Sequence, residues 1–240
     1  MKVEIWSDVV CPWCYIGKRR FEAALSRFDH REEIEVEWKS FELDPGARSA
    51  TADETGPDYA DRLAKKYSTT RDGAQKMLDS MTLAAAQEGL DFRFDLAVRA
   101  NTFDAHQVIH LAAAQGLQDQ VKERLLRAYF TEGEPVGDRA ALVRLAAEAG
   151  LDVAEVEKAL EKQEHAEAVR ADEAEAAALG ISGVPFFVVD RKYGVSGAQP
   201  ADQLLQVLER AWSEAAPSLT MVGTGSAEGG DACGPDGCSI

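Results

Sequence analysis

Strand-like patterning occupies only the two ends of this 240-residue chain. Val3–Trp6 reads as a short strand, and residues 34–41 (Ile-Glu-Val-Glu-Trp-Lys-Ser-Phe) alternate apolar and polar side chains with the period of two that a half-buried strand requires. No further strand signal occurs until the compact apolar run Phe186–Asp190, followed by Tyr193–Ala198. Between Asp58 and Leu179 the pattern is helical throughout. One sheet must therefore be assembled from opposite ends of the chain, around a long helical insertion. The first two strands are bridged by a helix-length segment, so they are expected to be parallel.

The expected organisation is α/β: a βαβ half over residues 1–57, an inserted helical domain over 58–180, a ββα half over 181–213 and a tail over 214–240. Seven helices are expected in the insertion. They are marked by Leu63 and Tyr67, by Met77–Ala86 before Gly89, by Thr102–Ala114 before Gly116, by Val121–Tyr129, by a segment capped by Asp138 and stopped at Gly150, by a short one opened by Asp152 and Glu155 as a capping box, and by Gln163–Leu179 before Gly180. A closing helix is expected over Pro200–Trp212.

The charge balance is 26 − 42 = −16. Nucleic acid and anionic membranes are poor partners for such a chain, because both select clustered Lys and Arg. No apolar run reaches the ~20 residues that span a bilayer. The early acids Glu4 and Asp8 make the N-terminus read as a strand and not a signal peptide, so a cytoplasmic location is the expectation. The four cysteines form two close pairs, Cys11/Cys14 and Cys233/Cys238, with none between. A stapled scaffold would scatter them, so the spacing points to chemistry.

Cys11-Pro12-Trp13-Cys14 follows the first strand and opens a helix, with Pro12 in the favoured first-turn position. Two cysteines three apart on a helical turn share a face and can join as a disulfide. Unpaired N–H groups and the helix dipole favour an anion at the first of them, so Cys11 is expected to be the exposed thiolate that attacks a substrate disulfide. Cys14, one turn deeper, is expected to be more buried, to keep the higher pKa and to resolve the mixed disulfide. Pro12 and Trp13 tune the pair. Trp13 brings only an indole N–H and bulk, which implies a reduction potential between roughly −270 and −120 mV. Half of a zinc site, or two inert core thiols, is the competing reading; structural zinc wants four ligands, and the position of the motif after a strand and at the start of a helix favours redox chemistry.

Residues 7–17, Ser-Asp-Val-Val-Cys-Pro-Trp-Cys-Tyr-Ile-Gly, resemble the opening of DsbA-family proteins of the FrnE-like type, within the thioredoxin superfamily. The run 183–188, Gly-Val-Pro-Phe-Phe-Val, resembles that family's cis-proline loop, residues 195–200 its following hairpin and helix start, and residues 99–106 (Arg-Ala-Asn-Thr-Phe-Asp-Ala-His) a segment of its helical insertion. The resemblance implies a thioredoxin-like fold interrupted by a helical domain, and a thiol–disulfide oxidoreductase or isomerase acting on protein or small-molecule thiols. It implies a cis Val184–Pro185 bond, with the backbone before the proline pairing with substrate. No cofactor beyond the redox disulfide is implied, with glutathione as a candidate substrate. Kappa-class glutathione transferases and hydroxychromene-carboxylate isomerases share the architecture but resemble a form with serine at position 11. A glutathione-dependent transferase or isomerase is therefore the alternative activity.

His106 and His110 lie one turn apart, a spacing that suits a zinc pair, but Gln107 stands where a zincin needs glutamate, and no metal site is expected. Thr102 is expected to cap their helix, with His106 near the active site as a tuning residue. Asp8 and Lys39 are the sequence candidates for shuttling the Cys14 proton, with surface salt bridges as the alternative for each. Cys233 and Cys238 enclose four turn-forming residues (Gly-Pro-Asp-Gly). They read as a redox-silent end, as an auxiliary dithiol exchanging with Cys11–Cys14, or as part of a four-thiolate zinc site. Some 25 flexible residues would span roughly 25–30 Å, enough to reach back.

Overall fold

The computed structural model describes residues 1–49 and 58–215. The first half comprises β1 (Lys2–Ser7), α1 (Pro12–Ser26), a 3-10 turn at Arg31–Glu33 and β2 (Glu35–Ser40). The insertion carries α2 (Tyr59–Lys66), α3 (Arg71–Gln87), α4 (Phe103–Ala113), α5 (Gln118–Arg127), a π-helical turn at Ala128–Glu132, α6 (Arg139–Glu148), α7 (Val153–Lys162) and α8 (Ala166–Ala178). The chain returns through β3 (Phe186–Val189), β4 (Tyr193–Ser196) and α9 (Ala201–Ala215). All seven expected helices of the insertion are present. Asp138 and Asp152 cap α6 and α7, accepting from the backbone N–H of Ala141 at 2.9 Å and of Glu155 at 3.0 Å. Gly180, at φ +74, ends α8 in the left-handed region that a residue with a Cβ enters at a cost.

The sheet order is β2-β1-β3-β4, with β1 parallel to β2 and antiparallel to β3, and β3 antiparallel to β4. The register sets Ile5 beside Trp38 and Phe187, and Trp6 beside Lys39 and Phe186. Alternation divides these side chains between two faces. Val3, Ile5, Phe187 and Val189 join α1 and α9 in the main core, with the Phe21 and Phe187 rings 5.6 Å apart. Trp6 and Val188 pack with Ala176 and Ile181 at the end of α8.

The second strand lies at the edge of the sheet. An edge strand exposes a row of backbone donors and acceptors, and the insertion covers this one. The Gln118 side chain accepts from the Trp38 N–H and donates to the Trp38 carbonyl, both at 2.9 Å. Asp172 accepts from the Ser40 N–H at 2.8 Å, and its own carbonyl takes the Trp6 indole N–H at 2.9 Å. These contacts lock α5 and α8 against the sheet and bring α4 and α5 to the C-terminal end of β1, where the chain turns into α1.

Candidate active site

Cys11 is the N-cap of α1, in extended backbone conformation, and Pro12 opens the first turn as expected. The Cys11 carbonyl accepts from the Cys14 N–H at 3.1 Å and the Tyr15 N–H at 3.4 Å. Val184–Pro185 is cis, in agreement with the resemblance. The Cys11 thiol donates to the Val184 carbonyl at 3.5 Å, so the loop before β3 faces the first sulfur directly. The loop is held by Gly197, whose N–H donates to the Pro185 carbonyl at 2.9 Å. Gly17 faces it from α1, where a Cβ would come within 2.9 Å of Pro185 Cγ.

Two expectations about the sulfurs are corrected. Cys11 is not an exposed thiol: it is 3% accessible and Cys14 1%, both unbonded, while Trp13 beside them is 40% accessible. The charge preference is also inverted. Burial, reinforced by the hydrogen bond and charge it shares with Cys14 and by the nearby Asp8 carboxylate, pushes the Cys11 thiol well above its ordinary range, against the opposing pull of the Cys14 N–H. Cys14 is held below its ordinary range although burial opposes ionisation there too. The Cys11 thiol, the Lys122 ammonium, the buried Ser7 hydroxyl and the Asp8 backbone amide together outweigh that cost. The two thiols titrate as one unit, of which Cys14 is the easier to ionise. The helix terminus favours an anion at Cys11, as the sequence implies, but burial and the hydrogen bond between the two thiols outweigh it, with Asp8 and Lys122 adding to the same preference.

Asp8 is buried and forms no surface salt bridge. It accepts from the Leu43 N–H at 2.8 Å and faces His106 Nε2 at 3.4 Å across a closed interior. Burial acts against its charge, but the His106 contact, the Leu43 N–H and Lys122 hold its carboxyl below the usual range. His106 thus lies where expected, against the residue that starts the turn into α1. Its helix is not capped by Thr102, which makes no side-chain capping bond. The Asn101 side chain accepts from the Phe103 N–H at 3.0 Å instead. His110 faces a different carboxylate, Asp172 at 3.0 Å, and the Ser40 hydroxyl at 3.1 Å. Among the described residues no cluster of three or more His, Cys, Asp or Glu side chains is arranged to hold a metal. Lys39 lies in ion pairs with Glu37 at 3.1 Å and Asp172 at 3.0 Å, which raise its pKa despite partial burial, so it stays a charged anchor of the β2 edge. Cys233 and Cys238 lie outside the described residues.

Lys122, on α5, has no counterpart among the sequence candidates. It is 1% accessible, it donates to the Ser7 carbonyl at 3.3 Å, and its ammonium lies 5.6 Å from the Trp38 ring centroid. Burial lowers its pKa to about 8, against the raising influence of Cys14, Asp8 and Cys11. A signal for it exists in the sequence: Val121, Lys122, Leu125 and Leu126 share the spacing of one helix face, so a lysine interrupts an apolar stripe. Tyr59 of α2 packs against Phe94, with ring centroids 4.8 Å apart. Its hydroxyl is pushed well up by burial, with Tyr129 and Cys11 adding to the effect.

A sheet of this order, with a dithiol at the start of α1 and a cis-proline loop against it, defines a thioredoxin-type α/β protein carrying a helical insertion. The sequence matches the DSBA-like thioredoxin domain family over residues 2–209, and the chain belongs to that family. It is similar to the crystal structure of a probable DsbA oxidoreductase, SCO1869, from Streptomyces coelicolor, with 45% identity, a TM-score of 0.82, and coverage of 100% of this chain and 99% of that one. It is 29% identical over 194 residues to the uncharacterized protein YwbO of Bacillus subtilis (strain 168), covering 78% of this chain and 86% of that protein. The cytosolic disulfide reductase DsbM from Pseudomonas aeruginosa shares the fold at 21% identity, with a TM-score of 0.61, over 90% of this chain and 100% of that one. No helix among the described residues is long and apolar enough to cross a membrane.

Proposed function

We propose that this protein is a thiol–disulfide oxidoreductase in which Cys11 exchanges with protein or small-molecule disulfides and Cys14 resolves the mixed disulfide. The observation that carries this reading is the contact between Cys11 Sγ and the Val184 carbonyl at 3.5 Å, which sets the first sulfur against the loop where an extended substrate strand would lie. Cys11 attacks because it faces that loop, and Cys14 supports it from behind. As the Cys11 sulfur bonds to one sulfur of the substrate disulfide, its proton passes to the Cys14 thiolate and the substrate's other sulfur leaves as a thiolate. Cys14 then loses that proton and attacks Cys11, closing the Cys11–Cys14 disulfide and freeing the reduced substrate. Pro12 and Trp13 shape the first turn of α1, Val184 and Pro185 receive the substrate, and His106 holds Asp8.

Glutathione is a fitting small substrate: DsbM, which shares the fold, has been solved with it. Cysteine at position 11 favours exchange over the glutathione-activated isomerisation of the serine-bearing relatives. The test is reduction of insulin by dithiothreitol with wild-type, Cys11→Ser and Cys14→Ser proteins. Wild type should accelerate the reaction and Cys11→Ser should fall to the uncatalysed rate. Equal rates for wild type and Cys11→Ser would remove the assignment.

A further inference from the structure

Lys122 presents a problem of charge. Among the described residues no carboxylate oxygen lies within 4 Å of its ammonium, whereas buried Lys18 close by has three acid partners, Glu22, Asp119 and Glu123. Asp8, a buried carboxylate whose charge acts on it, is engaged by His106 and the Leu43 N–H. The hydrogen bond of Lys122 is to a neutral carbonyl, that of Ser7. An ammonium sealed from water without an anionic partner costs several kcal/mol, and interiors retain one only where charge compensates it. Lys122 contacts the Ser7 carbonyl at the end of β1 and the Trp38 ring of β2, and the charges that act on it are those of Cys14, Asp8, Cys11 and Lys18. Of these, only the cysteine pair changes charge with redox state.

We propose that Lys122, supplied by the inserted helical domain, is the counter-cation of the dithiol: it holds a proton while the reduced pair carries a thiolate and gives it up when the disulfide forms. When a substrate dithiol reduces the Cys11–Cys14 disulfide, one S–S bond breaks and two electrons enter. One sulfur becomes the Cys14 thiolate and the other the Cys11 thiol. Of the two protons released by the substrate dithiol, one goes to Cys11 and one to the Lys122 amine, and the substrate leaves as its disulfide. Lys122 touches neither substrate nor the bond that breaks, so it is a positioning residue acting through Cys14. Its place on α5 gives the insertion a role in the chemistry of a site otherwise built by the sheet and α1. The inference rests on the exchange reading for the pair itself.

The test uses the full chain. Thiolate absorbance at 240 nm, followed against pH in the reduced protein, should show one thiolate appearing below the ordinary thiol range in wild type. In Lys122→Met its appearance should move upward by a pH unit or more, a loss of about tenfold in thiolate at a given pH. In wild type, the Lys122 ¹³Cε resonance should titrate at a higher pH in the reduced than in the oxidised protein, a readout that needs no variant to fold. An unchanged thiolate titration in folded Lys122→Met, or the same Lys122 midpoint in both redox states, would overturn the proposal. Failure of wild type to reduce insulin would instead count against the exchange reading, and the two titrations would still judge Lys122.

Discussion

Gly17 lies within α1, where replacing glycine with alanine normally stabilises a helix by about 1 kcal/mol. Here the added Cβ would approach Pro185 Cγ to 2.9 Å, with Ala198 Cβ and Phe187 Cζ each at 3.5 Å. Carbon atoms pack best at about 3.5–4.0 Å, so the proline ring must retreat by roughly 0.6 Å or more. A ring closed onto its own backbone cannot swing aside as the end of a long side chain can. Overpacking of this kind typically costs about 1–3 kcal/mol, which exceeds the helix gain. Gly17→Ala is therefore expected to lose about 1 kcal/mol net, or ~2–4 °C in Tm for a domain of this size. The retreat would also draw the Val184 carbonyl away from the Cys11 thiol, so insulin reduction should slow while the thiols remain titratable. Thermal unfolding and the reductase assay measure the two effects together. A Gly17→Ala protein with a higher Tm and unchanged turnover would refute the claim that this glycine sets the distance between α1 and the loop.

Asp8→Asn removes a carboxylate that raises the Cys11 thiol, so Cys11 should be alkylated faster by iodoacetamide at a fixed pH; slower alkylation would contradict the assigned sign. Lys122 has a folded-state pKa lowered from 10.5 to about 8 by burial, so the unfolded chain binds more protons between those values. Its penalty is therefore fully present below pH 8 and relieved as pH rises toward 10.5. Lys122→Met should be more stable than wild type by up to about 3 kcal/mol at pH 7, a difference that shrinks to nothing by pH ~10.5 in urea titrations. Asp138→Ala removes the cap of α6 and should cost ~1 kcal/mol in the same titrations.

Local signals made most of the architecture readable. The alternation of residues 34–41, the apolar run at Phe186 and the glycine stops mark elements through the period and conformation of neighbouring residues. The cis Val184–Pro185 bond was legible only through resemblance. What escaped the sequence depends on contacts between distant residues. The edge position of β2 follows from which strand β3 joins, and the Gln118 side chain that covers that edge is 80 positions away from Trp38. The local cap at Thr102 is displaced by its neighbour Asn101, a choice made by backbone geometry at the helix entry. In the site, Cys11 and Cys14 are legible from spacing, but the preference of the charge for Cys14 is not. It follows from burial, from the hydrogen bond between the two thiols and from Lys122, 108 residues further along the chain, none of which a local pattern encodes. The π-helical turn at Ala128–Glu132 has no sequence signal that separates it from the end of α5.

The exchange chemistry depends on Cys11 being the sulfur that meets substrate. Cys14→Ala protein incubated with a disulfide-bonded peptide, quenched in acid and mapped by mass spectrometry, should accumulate a mixed disulfide through Cys11, while Cys11→Ala should accumulate little. A mixed disulfide formed mainly through Cys14, or none through Cys11, would contradict it.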